Sequence, residues 1–275
     1  MRFSFVVSPR LGYQIPNLFA SPKSFRDFRA ALKLLRECGF EGVELNLNSD
    51  KEPLLSRISE MIEEAELKLA AVGTGLLYSE SKVSFTDPNP ARRTKAVSVF
   101  KGLVKFASAF QAPVIIGLVR GVGSLHNGRT AAYLQDCLTQ SDDAANKSQV
   151  TLALEALNRY ETQSLNTAKE AVEFIDQHRL SSTGLLLDSF HMNIEEDVIE
   201  NSLDAYVSRI VHFHIADSNR WPPGYGHLDV KRILDRLQNL GYGGWVSAET
   251  LPKPTSTEAV KATADYLKRH GYARK

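Results

Sequence analysis

Short apolar runs rich in branched side chains alternate along this chain with longer stretches whose apolar residues recur every three to four positions. FSFVV at 3–7 predicts a first strand, and Ser24 to Arg36 a helix through Phe28, Leu32 and Leu35 that Gly39 closes. GVELNL at 42–47 and KLAAVGTG at 68–75 predict the next two strands, with a helix over 54–65 between them. Asp87-Pro88-Asn89-Pro90 marks a loop before a helix over 91–109. APVIIGLV at 112–119 predicts a fourth strand; past Gly121-Val122-Gly123 a helix runs over 129–146. The second half repeats the rhythm: VTLALEA at 150–156, STGLLLD at 182–188, RIVHFHIAD at 209–217 and GWVSAET at 244–250 predict strands five to eight. Helices follow them over 166–177, somewhere in 194–207, over 230–239 and over 257–269.

Strands that alternate with helices build a parallel sheet. Eight such units without a linker close most naturally into a single (β/α)8 TIM barrel, which makes the whole chain, 1–275, one α/β domain. An open doubly wound sheet is the competing architecture, but the first strand is not followed by a glycine-rich dinucleotide fingerprint.

Composition narrows the partners. The formal net charge is +1 and there is no long Lys/Arg block, so the chain as a whole points to no nucleic acid. Its two cysteines, Cys38 and Cys137, have neither metal-type nor redox-type spacing and read as reduced, mostly buried thiols. No stretch approaches the roughly 20 apolar residues of a membrane span. The N-terminal apolar run is too short for a signal-peptide core and is interrupted by Pro9 and Arg10. These features predict a cytoplasmic protein with no membrane association.

In a barrel of this kind the chemistry sits at the C-terminal strand ends. Strands five to eight end in Glu155, Asp188, His214 and Glu249, each after an apolar run: TLALE, GLLLD, IVHFH and WVSAE. Three carboxylates brought together repel and are pushed toward the neutral form. A divalent cation removes that conflict, and one imidazole with three carboxylates suits Mn²⁺, Co²⁺ or Mg²⁺. Any one of the carboxylates fits equally well as the cap of the helix after its strand; four on successive strands favour the cation. His212, two residues before His214 on the same strand face, is expected one layer deeper as a structural histidine.

The segments EALNRYETQSLNT (155–167), LDSFHMNIEED (187–197) and HFHIADSNR, with the terminal SAE, resemble the sugar isomerase/epimerase superfamily of metal-dependent, xylose isomerase-like barrels. The branch they are most similar to contains the D-tagatose and D-psicose (allulose) 3-epimerases. The resemblance covers most of the C-terminal half in ordered motifs, and the N-terminal half only through the barrel rhythm. It implies that Glu155, Asp188, His214 and Glu249 hold one divalent ion, with Mn²⁺ first, and that Glu155 and Glu249 also exchange the substrate proton from opposite faces. It further implies that His191 and Arg220 hold substrate oxygens near the carbonyl and that Glu161 supports the catalytic network. The expected activity is a ketose 3-epimerase acting on a free sugar or sugar phosphate, in a homodimer or homotetramer. Chemically this is coherent: deprotonation next to a ketone needs a stabilised enediolate, and inversion needs an acid/base on each face.

Several readings compete. A hydroxypyruvate isomerase-like aldose–ketose isomerase uses the same enediolate; a polyol dehydratase, an apurinic endonuclease-like hydrolase and a non-catalytic sugar-binding barrel are further alternatives. Glu44 fits either the barrel mouth or a structural hydrogen bond. Gly73 and Gly75 suggest close backbone approach. The loop LVRGVGSLHNGR, with Arg120, His126 and Arg129, fits a lid, or less well a phosphate cradle. Trp221 and Tyr225 fit either a pocket wall or loop packing.

Overall fold

The computed structural model of the chain describes residues 10–15 and 22–272. In chain order the elements are β1 (Arg10–Ile15), α1 (Pro22–Cys38), β2 (Gly42–Asn46), α2 (Glu52–Glu64), β3 (Lys68–Gly73), α3 (Gly75–Ser79), α4 (Pro90–Ser108), β4 (Val114–Ile116), α5 (Gly128–Ser148) and β5 (Leu152–Glu155). They continue with α6 (Ala168–Gln177), β6 (Thr183–Asp188), α7 (Ser189–Glu195), α8 (Ile199–Tyr206), β7 (Ile210–Ile215), α9 (Val230–Asn239), β8 (Trp245–Ala248) and α10 (Ser256–Arg269). Each strand pairs in parallel with its neighbours in sequence, and β1 pairs with β8, closing the barrel in the order β1 to β8.

The near-continuous apolar runs of the strands follow from burial on both faces. β5 and β6 have no exposed position. Outward residues meet the helices, where Phe28, Leu32 and Leu35 of α1 and Phe100, Leu103 and Val104 of α4 are buried. Inward residues form layers. Ala71, Ile115, Ala153 and Leu186 make a separate small apolar cluster within the barrel. Each lies two residues before the residue that its strand delivers to the mouth, Gly73, Gly117, Glu155 or Asp188, as the two-residue period of a strand requires.

Helix starts carry the expected chemistry. Asn89 caps α4, accepting from the Ala91 N–H, with Pro90 at the first helical position. Thr167 and Glu170 form a reciprocal capping box at the start of α6.

The structure differs from the expectation at β4 and after β6, and one expected strand falls where nothing is described. The strand expected at 3–7 lies outside the described residues; β1 is Arg10–Ile15, a segment whose strand character comes from pairing on both sides. β4 is shorter than 112–119: after Gly117 the chain leaves the sheet and forms a 3-10 turn at Leu118–Arg120. The helix expected within 194–207 is α8, and a further short helix, α7, precedes it directly after β6. The chain extends at Glu196, whose carboxylate accepts from the Ala168 N–H at the start of α6 (2.7 Å) and from Ser202 Oγ (2.6 Å). Among the described residues no helix is long and apolar enough to cross a membrane. Cys38 and Cys137 are both free thiols.

Candidate metal centre and active site

The upper inward layer brings together the residues read from the strand ends. Glu155 ends β5, Asp188 ends β6, His214 lies on β7, and Glu249 follows β8 by one residue. Sheet register places Asp188 beside His214, and His214 beside Ser247, two residues before Glu249. One ligand atom from each of the four lies within 4.8 Å of those of the others. His214 Nδ1 stands 3.2 Å from Glu249 Oε2 and 3.8 Å from Glu155 Oε1.

Asp188 answers the question whether these carboxylates cap helices or face the site: it does both. Its Oδ1 accepts from the Phe190 N–H at the start of α7 (2.8 Å). Its Oδ2 is buried without a hydrogen-bond partner, as are His214 Nδ1 and His191 Nε2. Three such atoms aimed at one point are costly unless something polar joins them. The donor set, three carboxylate groups and one imidazole nitrogen, fits a divalent ion of the Mn²⁺ or Mg²⁺ type. Burial pushes the Asp188 carboxyl up to about 8, with Glu249 and Glu155 adding to it against the pull of Arg220 and His214. Burial, helped by Glu249, also raises the Glu155 carboxyl although His214 pulls it down. Glu249 goes the other way: burial is outweighed by Arg220 and His214, which hold it well below the usual range.

α7 follows β6 directly and so sets His191 three residues beyond Asp188. His191 Nδ1 accepts from the Asn158 side-chain amide (2.7 Å), which leaves the ring proton on Nε2. That N–H points toward Glu155 Oε1 (3.7 Å) and Asp188 Oδ2 (3.8 Å). Burial, reinforced by Arg220, pushes the His191 imidazole down to about 3, so it is a neutral donor.

Arg220 donates to Glu249 Oε2 (2.7 Å) and Glu161 Oε1 (3.0 Å). It sits at φ 60°, in the left-handed region uncommon for an arginine. Its backbone is fixed on both sides: its N–H donates to the Asp217 carbonyl (2.8 Å) and its carbonyl accepts from the Leu251 N–H (2.7 Å). The Asp217 carboxylate organises the rest of this loop, accepting from the N–H groups of Ser218 (2.7 Å), Gly224 (2.8 Å) and Leu228 (3.0 Å). Gly226 is required beside it, because a Cβ there would lie 2.2 Å from Asp217 Oδ1.

A cavity of about 200 Å³ opens over this cluster. One wall is Glu155, Glu161, His214, Arg220 and Glu249; the other comes from β2 to β4 and includes Asn46, Thr74, Leu76, Gly117 and Leu118. Sequence reasoning missed Asn46, although it lies two residues beyond Glu44 on the same strand face. It also missed Asn158, which sets the His191 tautomer, and Gly117. A Cβ at Gly117 would stand 2.5 Å from Glu155 Oε2, so glycine there makes room for that carboxylate.

Other expectations resolve as follows. Glu44 does not reach the mouth: it is fully buried and bonded to His212 and His214. His212 is structural, as expected, one layer down. Arg120 is not part of a phosphate cradle. It is 1 % exposed and donates to the carbonyls of Glu155, Ser164 and Leu165, while His126 and Arg129 are exposed. Gly75 starts α3 and is not part of a strand. Trp221 and Tyr225 pack against each other, with ring centroids 6.1 Å apart, and Tyr225 is exposed.

Comparison with known proteins places the chain in a family. The chain belongs to the xylose isomerase-like TIM barrel family, whose pattern matches residues 32–270. A D-psicose 3-epimerase of Enterocloster bolteae is 29 % identical over 233 residues, covering 80 % of this chain and 75 % of that protein. The crystal structure of a D-allulose 3-epimerase from Methylomonas sp. superposes with a TM-score of 0.80 at 21 % identity, covering 96 % of this chain and 98 % of the other. That of a 3-keto-D-glucoside 4-epimerase from E. coli, in its apo form, gives a TM-score of 0.79 at 21 % identity, with 95 % and 99 % covered.

Proposed function

We propose that the protein is a divalent-metal-dependent sugar epimerase that inverts a carbon next to a ketone, with a ketose 3-epimerase as the specific activity. The observation that carries this reading is the convergence of Glu155 (3.8 Å) and Glu249 (3.2 Å) on His214 Nδ1, in a cluster with unpartnered buried atoms. Glu155, Asp188, His214 and Glu249 would hold the ion. When bound, it supplies Lewis-acid stabilisation of negative charge developing on the substrate's oxygens.

The chain's own groups divide the remaining work. One of Glu155 and Glu249 removes the proton from the carbon next to the carbonyl, and the other returns one on the opposite face; the roles exchange in the reverse direction. Arg220 holds Glu249 in place and brings positive charge to the same wall. His191, a neutral donor through Nε2–H, is placed to bond a substrate oxygen. Glu161 anchors Arg220 from the other side.

Both terminal nitrogens of the buried Arg120 are taken by backbone carbonyls, and Arg220 is tied to two carboxylates. This supports an unphosphorylated sugar as substrate. The reading keeps the whole chain as one barrel domain, a homodimer or homotetramer as its assembly, Mn²⁺ as the first ion to test and the cytoplasm as its setting.

The test is a panel of free ketoses, their phosphates and a 3-keto glycoside in deuterated water, with added Mn²⁺ and with chelator. Deuterium at C3 of a free ketose, lost on chelation, is the expected result. Deuterium at C1 of the ketose, or at C2 of an aldose product, makes the protein an aldose–ketose isomerase; exchange at C4 of the 3-keto glycoside alone moves the inverted centre. Metal-independent turnover overturns the reading.

A further inference from the structure

Glu44 is a buried carboxylate that the proposed chemistry leaves unused. It projects from β2 into the barrel, one layer below Asn46. Two imidazoles of β7 converge on a single oxygen of it: His212 Nε2 at 2.7 Å and His214 Nε2 at 3.0 Å from Oε2. All three side chains are at most 1 % exposed. The two rings stand nearly perpendicular, at 87°, so each presents its edge to the shared oxygen.

We infer that Glu44 is a positioning residue for the metal centre, acting through His214 to decide which ring nitrogen faces Glu155 and Glu249. An ionised carboxylate only accepts, so a ring nitrogen bonded to it carries the proton. His214 therefore keeps its proton on Nε2 and turns Nδ1 toward the site, where that atom lies 3.2 Å from Glu249 Oε2. Nδ1 is the nitrogen whose lone pair is available to a cation. An imidazole that ligates through one nitrogen and donates from the other to a carboxylate is both oriented and made a better ligand.

His212 has a part in the same device. By donating to the same oxygen it holds Glu44 down in the lower layer and prevents the carboxylate from rotating up as a further ligand. The chain of contacts runs from His212 through Glu44 to His214. Glu44, His212 and His214 also meet the distance criterion for a cation site of their own. Both Nε2 atoms, however, are already at hydrogen-bond distance from the carboxylate, whereas His214 Nδ1 and Asp188 Oδ2 of the other cluster are without a partner.

This inference rests on the metal reading of the site, and the experiment separates the two. Mn²⁺ is titrated into the protein and the free ion followed by electron paramagnetic resonance, for wild type, Glu44→Gln and Glu44→Asp, alongside thermal melts. Glu44→Gln is expected to bind Mn²⁺ about 10–100-fold more weakly, because a neutral amide oxygen holds the imidazole N–H less strongly than a carboxylate. Glu44→Asp is expected to recover part of the loss. Wild-type affinity in a folded Glu44→Gln overturns the inference, as do two tightly bound ions per wild-type chain. A wild type that binds no Mn²⁺ overturns the metal reading itself. A measurement on wild type alone reads the same point: in ¹⁵N-histidine spectra of the Mg²⁺-loaded protein, His214 should carry its proton on Nε2. A proton on Nδ1 there overturns the inference.

Discussion

The two halves of the barrel mouth are built from opposite materials. The ends of β5 to β8 deliver Glu155, Asp188, His214 and Glu249; the ends of β2 to β4 deliver Asn46, Gly73 and Gly117. One half concentrates ionisable groups and the other leaves room. The lower layer repeats the division less sharply, with Ala71, Ile115, Ala153 and Leu186 on β3 to β6 and Glu44, His212 and Ser247 on β2, β7 and β8. The second half thus carries the chemistry, and the first half the shape into which a substrate fits.

The largest effect should come from the charged half. Glu249→Gln and Glu155→Gln are each expected to lower turnover roughly 10³-fold or more, with melting temperatures near wild type, as measured by epimer formation and solvent deuterium exchange. Turnover near wild type in either variant would break the two-base scheme. The open half should respond to bulk. Gly117→Ala is expected to displace the Glu155 carboxylate and lower kcat/KM about 10–100-fold. A variant with unchanged kinetics would show that this wall is not fitted to the carboxylate.

A third effect follows from protonation. The Asp188 carboxyl, pushed up to about 8, and the His214 imidazole, raised by Glu44 and Glu249 against the effect of burial, must lose their protons to ligate. Below about pH 8 an incoming ion must displace at least one proton, so Mn²⁺ affinity should fall about tenfold per pH unit. Once both groups have lost their protons it should level off. Competition calorimetry across pH checks the slope; an affinity flat from pH 6 to 8 contradicts the ligand assignment. The smallest effect belongs to the scaffold: Thr167→Ala removes one side of the α6 capping box and should cost about 1 kcal/mol of stability, read by urea denaturation, without changing kcat/KM.

Thr167 also shows what the sequence held and what it did not. It closes the segment EALNRYETQSLNT, whose resemblance to sugar epimerases suggested chemistry, yet Thr167 and Asn166 serve the backbone. Asn166 Nδ2 donates to the carbonyls of Leu157 (2.7 Å) and Thr162 (3.1 Å). The four strand-end residues were legible because each terminates an apolar run, which marks position and polarity together. Arg120 was not: beside glycines in a loop it looks solvent-facing, and only its three carbonyl partners, distant in sequence, show that it is a buried support. The strand at Arg10–Ile15 was not read for the same reason, since its pairing with β2 and β8 is invisible to local pattern. Glu44 was legible as a polar residue near a strand end and Asn158 was not singled out; the effects of both run through His214 and His191, contacts that only the closed barrel creates.

The clasp between the last two loops has a practical consequence for anyone wishing to change what this catalyst accepts. The Leu251 N–H donates to the Arg220 carbonyl and the Arg220 N–H to that of Asp217, so the rim over β7 and β8 is sewn to itself by main chain. Diversity introduced there would disturb the guanidinium and the glutamate together. On the opposite rim Leu76 and Leu118 are half-buried and Ser79 is exposed, and all three border the cavity. A library at those three positions would alter which substrates are admitted while sparing the inversion machinery.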